Sequence, residues 1–180
     1  MRMTAEPLRQ LAAAIIVLGA MAVSEGAEAQ IVAFGASNVA GFGVAPGEAF
    51  PAQLERMLKA KGYDASVANA GINGDTSSGM LSRLDAAIPS GTTVVLLDTS
   101  GPIANNPHQG IGRTQGQADM AAITARLGAR RITIIPETAN VISRRYRQED
   151  GRHLTAEGHR LLAQRLLPQV MRALGPPPSR

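Results

Sequence analysis

Apolar positions along this chain alternate between two rhythms, and the changes of rhythm outline an architecture. Ile31-Val32-Ala33-Phe34 is an unbroken apolar run closed by Gly35, as in a strand covered on both faces. From Pro46 to Lys61 the spacing becomes helical. Phe50, Leu54, Met57 and Leu58 fall on one face at i, i+4, i+7 and i+8, and Gly62 suits the stop. Ala65 to Ala70 predicts a short second strand and Ser77 to Ile88 a second helix. Thr92 to Leu97, a continuous β-branched and leucine run, predicts a buried third strand. Thr114 to Leu127 reads as a third helix and Arg131 to Ile135 as a fourth strand. Thr155 suits the N-cap of a last helix reaching Leu174, with Leu162, Leu166, Val170 and Leu174 in one stripe and a kink expected at Pro168. Strands alternating with helices predict an α/β fold: a three-layer α/β/α sandwich around a mostly parallel central sheet. Ligands of such sheets bind beyond the carboxyl ends of the strands, so functional residues should follow the strands directly.

The first segment has a different pattern. Arg2 and Arg9 precede an uncharged run from Leu11 to Val23, too short for a spanning helix, which needs about 20 residues. Ala27-Glu28-Ala29 follows as a small-x-small site. Residues 1–29 are therefore expected to be a secretory signal peptide cleaved after Ala29, against the competing reading of a core helix or uncleaved anchor. No pair of adjacent arginines precedes the run, which favours the Sec route over the twin-arginine route. Residues 30–180 would then form one domain, secreted or periplasmic, with no membrane span.

Removing that segment leaves 16 basic against 11 acidic residues, a net charge of +5. Arg144, Arg145, Arg147 and Arg152 carry much of the excess, as a solvated loop face or as an attractor of anionic substrates. Cysteine is absent, which excludes disulfides and thiolate chemistry. Tryptophan is absent and the aromatics are few, so a nucleic-acid stacking platform is not expected. No carboxylate and histidine cluster has zinc or calcium spacing, so neither metal nor organic cofactor is expected.

Three segments carry candidate chemistry. Ser37 follows the first strand and Gly35-Ala36, where it serves either as a nucleophile at the sheet's carboxyl edge or as a helix cap. Asp150-Gly151-Arg152-His153, just before the last helix, can supply a general base and its orienting carboxylate from one turn. Of the other histidines, His159 falls inside the helix and is expected at the surface, and His108 lies in a polar loop without a carboxylate beside it. Asn69 to Thr76, after the second strand, contains Gly71 and Gly74, whose turn can bring a backbone N–H to an oxyanion or can be an ordinary turn.

Together these segments resemble the SGNH hydrolase superfamily, the GDSL esterases and lipases, in order and spacing across residues 30–180. Gly35-Ala36-Ser37-Asn38 stands at the G-D-S-L block. Phe50 to Leu54, Asn69 to Thr76, and Asp150 to His159 resemble small bacterial members. The resemblance implies Ser37 as nucleophile, His153 as base, Asp150 as its orienter, and the Ser37 and Gly74 N–H groups as oxyanion donors. It implies hydrolysis of carboxylic esters, or thioesters, of small acyl groups through an acyl-enzyme, with a small-molecule ester as the partner.

Two blocks depart from the pattern. Ala36 replaces an aspartate and Asn38 an apolar residue. In the third block, G-x-N-D in the family, Gly101 is followed by Pro102 and Ile103, which cannot donate from a side chain. Losing one oxyanion donor typically costs about 10²–10³ in rate. Asn105 or Asn106 could fold back as the substitute. The alternative function is a non-catalytic envelope protein of the same fold that binds a glycan or acyl ligand.

Overall fold

The computed structural model describes residues 29–137 and 139–177; the expected signal peptide lies outside these apart from Ala29. The fold is the α/β sandwich expected. Four parallel strands, β1 (Ala29–Gly35), β2 (Ala65–Gly71), β3 (Thr92–Asp98) and β4 (Thr133–Glu137), are ordered β2-β1-β3-β4. Ala33 pairs with Asn69 on one side and Leu96 on the other, and β3 places Asp98 opposite Glu137.

Each central strand sends alternate side chains to opposite faces. Ile31, Ala33, Val94 and Leu96 pack on one side with α2 (Phe50–Ala60) and α6 (Ala156–Leu174), through Leu54, Leu58, Leu162, Leu166 and Val170. Val32, Phe34, Val95 and Leu97 pack on the other with α3 (Ser77–Ala87) and α5 (Arg113–Ala129), through Met80, Leu84, Ile123 and Leu127. An apolar run with no polar alternation is what this double coverage requires.

The chain moves from β1 outward to β2, then crosses back over β1 to β3. Neighbouring β1 and β3 thus lead their connections in opposite directions, which opens a crevice beyond their carboxyl ends. The short helices α1 (Ser37–Ala40) and α4 (Gly101–Asn105) begin there.

Element positions deviate from the sequence expectation at identifiable places. The helix expected from Pro46 is a 3₁₀ turn, Pro46–Glu48, followed by α2; the extended Ala49 between them admits Pro51 into the first turn. The fourth strand begins at Thr133, because Arg131 adopts a left-handed φ of 58° after α5. Pro168 does not interrupt α6. It lies on the exposed face, where the Gln164 carbonyl that loses its donor can meet water. His159 is fully buried, contrary to the surface position expected. Its Nδ1 accepts the Phe50 N–H at 3.3 Å, a cap for α2 that Ala49 cannot provide. Burial lowers its pKa to about 4.

Candidate active site

Three loops meet at the carboxyl edge of the sheet. The first is the turn from β1 into α1, where Ser37 is the first helical residue. Its N–H, like those at any helix start, has no intrahelical partner. The second is the tip of a short hairpin closed by an antiparallel bridge between Arg147 and Leu154. Asp150 accepts the N–H groups of Arg152 (2.8 Å) and His153 (3.0 Å) on Oδ1, which folds the tip back on itself. The third is the turn after β2, where Gly74 has φ +74°, a left-handed value that disfavours any side chain.

The structure brings the three candidate triad side chains into one hydrogen-bonded run. Ser37 Oγ lies 2.9 Å from His153 Nε2, and His153 Nδ1 lies 2.5 Å from Asp150 Oδ2. The His153 hydrogen bond, then the two backbone N–H groups, hold the Asp150 carboxyl well below the usual carboxylate range. An ionised Asp150 fixes the proton on Nδ1 and leaves Nε2 to accept from Ser37. The Phe42 ring lies against the His153 ring, centroids 4.4 Å apart.

Four residues that hold this geometry were not singled out from the sequence for that purpose. Asn38 Oδ1 accepts the Leu154 N–H at 3.1 Å and so ties the serine turn to the histidine turn. Gln148 Nε2 donates to the carbonyls of Phe42 (2.7 Å) and Leu154 (2.8 Å). Asp98, buried at the end of β3, accepts the N–H of Ala36 (3.2 Å) on Oδ2 and that of Gly101 (2.8 Å) on Oδ1. A carboxylate from β3 therefore binds the Ser37 turn, in which Ala36 stands where the resemblance puts an aspartate. Arg83 donates to Asp75 Oδ2 (2.8 Å) and to the Gly35 carbonyl (3.1 Å), joining the Gly74 turn to the Ser37 turn. Gly71 allows the same approach: a Cβ there would lie 2.1 Å from the Ala40 nitrogen.

The two asparagines of the third block separate. Asn106 is buried, with Oδ1 accepting the Ser77 N–H at 3.0 Å and Nδ2 donating to Ser77 Oγ at 2.9 Å. Ser77 Oγ in turn donates to the buried Asp119 at 2.8 Å. This network engages the Asn106 amide with Ser77, and Asn106 lines neither of the two described cavities around Ser37. Asn105 lies beside Ser37 and His153 in both cavities that contain them, of about 260 and 200 Å³. Its Nδ2 donates to the Asp75 carbonyl at 2.8 Å and its Oδ1 accepts from Arg152 at 3.4 Å. One Nδ2 hydrogen is left for another acceptor.

A larger cavity of about 540 Å³ adjoins the segment after β3, lined by Ile103, Ile111 and Met120 among others and without Ser37 or His153. Of residues 102–114, Ala104 and Asn105 line the described cavities around Ser37. His108 is exposed in the 3₁₀ turn Asn106–Gln109. Among the described residues no group of three or more His, Asp or Glu could hold a metal ion, and no helix is long and apolar enough to cross a membrane.

No protein-family model matches the chain. It is 29% identical over 121 residues to the esterase TesA of Pseudomonas aeruginosa, an alignment covering 64% of this chain and 59% of that protein. The crystal structure of TesA superposes with a TM-score of 0.65 at 21% identity, covering 80% of this chain and 99% of the other. The psychrotrophic esterase EstA of Pseudoalteromonas sp., in a structure inhibited by monoethylphosphonate, gives a TM-score of 0.67 at 19% identity, over 82% and 99%. AlinE4, an SGNH-hydrolase family esterase, gives 0.57 at 25% identity, over 84% and 100%.

Proposed function

We propose that this chain, which is similar to SGNH-hydrolase family esterases in fold and in the order of its site segments, hydrolyses carboxylic esters of small acyl groups with Ser37 as nucleophile. The observation that carries the reading is the unbroken run Ser37–His153–Asp150, at 2.9 and 2.5 Å. Ser37 Oγ attacks the acyl carbon while His153 Nε2 takes its proton, and Asp150 steadies the imidazolium. The oxyanion meets the N–H groups of Ser37 and Gly74, with the remaining Asn105 Nδ2 hydrogen as third donor in place of the missing block residue. His153 then returns the proton to the leaving alcohol. Water repeats the path in reverse to release the acid and free Ser37.

The small volume of the two cavities around Ser37 favours a short acyl group over a long alkyl chain. Thioesters of the same acyl groups enter the same chemistry. Export as residues 30–180 after loss of a leader is part of this proposal.

The test is hydrolysis of p-nitrophenyl acetate and butyrate by the wild type and by Ser37→Ala, beside fluorophosphonate labelling. Turnover should fall on the order of 10⁴-fold or more in the variant, and the label should attach at Ser37. A wild type that neither turns over nor takes up the label would instead leave a ligand-binding protein of the same fold.

A further inference from the structure

Charge around the serine is one-sided. Arg152 leaves the hairpin tip next to His153, and its side chain lines both cavities that contain Ser37. Its guanidinium makes one long hydrogen bond, to Asn105 Oδ1 at 3.4 Å. Among the described residues no carboxylate pairs with it. Arginine carries five donors in a planar fork, so most of this group's capacity is open to the cavity or to water.

Three of the nearby carboxylates are engaged elsewhere, and the exposed Glu149 of the same hairpin makes no ion pair with it among the described residues. Asp150 is occupied by His153 and two N–H groups. Asp98 binds the turns at Ala36 and Gly101, and Asp75 pairs with Arg83. Arg147 adds a second positive charge to one cavity wall. Both of its terminal nitrogens, however, donate to backbone carbonyls, Nη1 to Arg152 (2.6 Å) and Nη2 to Ala139 (2.8 Å), which makes it a strut for the loop. One open fork in a small cavity of mixed polar and apolar lining matches the geometry of a single carboxylate, which can accept two parallel N–H bonds.

We propose that the ester this protein hydrolyses bears a carboxylate close to the scissile bond, held by Arg152. The inference rests on the esterase reading above and deepens it into a substrate class. Arg152 is then a specificity residue: it binds a remote part of the substrate and takes no part in proton transfer.

The experiment compares a neutral ester, p-nitrophenyl acetate, with two monoanionic esters. In 4-acetoxybenzoate the carboxylate lies on the leaving group; in mono-p-nitrophenyl glutarate it lies on the acyl group. The readout is the anionic-to-neutral ratio of kcat/KM within one protein sample, which cancels differences in the active fraction. Arg152→Gln should lower that ratio about tenfold for at least one anionic ester, mainly through KM. Arg152→Lys should restore part of it, and high salt should compress it in the wild type. Arg145→Gln, an exposed arginine stacked on Tyr146, should leave it at the wild-type value. Ratios unchanged by Arg152→Gln for both anionic esters, with p-nitrophenyl acetate still turned over, would overturn the carboxylate inference and leave the esterase reading intact. A wild type that hydrolyses none of the three would remove both.

Discussion

Asn105 and Asn106 are chemically identical neighbours with different surroundings, and the difference is measurable. Asn105→Ala removes the proposed third oxyanion donor, and kcat should fall about 10²–10³-fold with little change in melting temperature. Asn106→Ala strips the buried Ser77 N–H of its acceptor, so stability should drop by about 1–3 kcal/mol. Steady-state kinetics and urea unfolding on both variants would check the pair, and equal effects would contradict the assignment. Asp150 and His153 were legible as a pair because one four-residue turn holds both, whereas joining Ser37 to them across 116 residues rested on the resemblance to the SGNH superfamily. Asn38, Asp98 and Arg83 were not, because their contacts join segments 116, 62 and 48 residues apart. No local pattern distinguishes them from ordinary polar loop residues.

At the scale of elements, the strands and main helices followed from their apolar rhythm, and the junctions between them did not. His159 shows why. Its place in α6 was readable from the period, but its role depends on where α2 begins, more than a hundred residues earlier. Folding depresses its pKa to about 4, so folding favours the neutral ring. The stabilisation is present above the unfolded value of about 6.5 and is lost as pH falls from there toward 4. His159→Asn keeps an acceptor for the Phe50 N–H but does not titrate. The wild type's stability advantage over this variant should shrink across that window, by up to about 3 kcal/mol. Urea midpoints for both proteins at several pH values would test it; parallel curves would refute it.

Across the whole molecule, the carboxyl ends of β3 and β4 set Asp98 beside Glu137, both buried. Burial, and then the Asp98 charge, pushes the Glu137 carboxyl up to about 8. Its folded value exceeds its unfolded one, so its contribution is full below about 4.5 and is lost as pH rises through 8. This slope opposes that of His159 between about 4.5 and 6.5 and acts alone above it. Stability should therefore be nearly level in mildly acid solution and decline toward pH 8. Glu137→Gln should abolish the decline, and a decline of the same size in the variant would assign it to another group.

The proposed nucleophile stands just after the first strand of the sheet, and its proposed base arrives 116 residues later, on the hairpin before the last helix. During synthesis, a ribosome that has delivered the serine has delivered an inert hydroxyl. Chemistry switches on only when the two distant stretches of chain have docked. On the proposed mechanism the onset of ester cleavage is a clock for the completion of folding, readable on a nascent or refolding chain without a label on the protein.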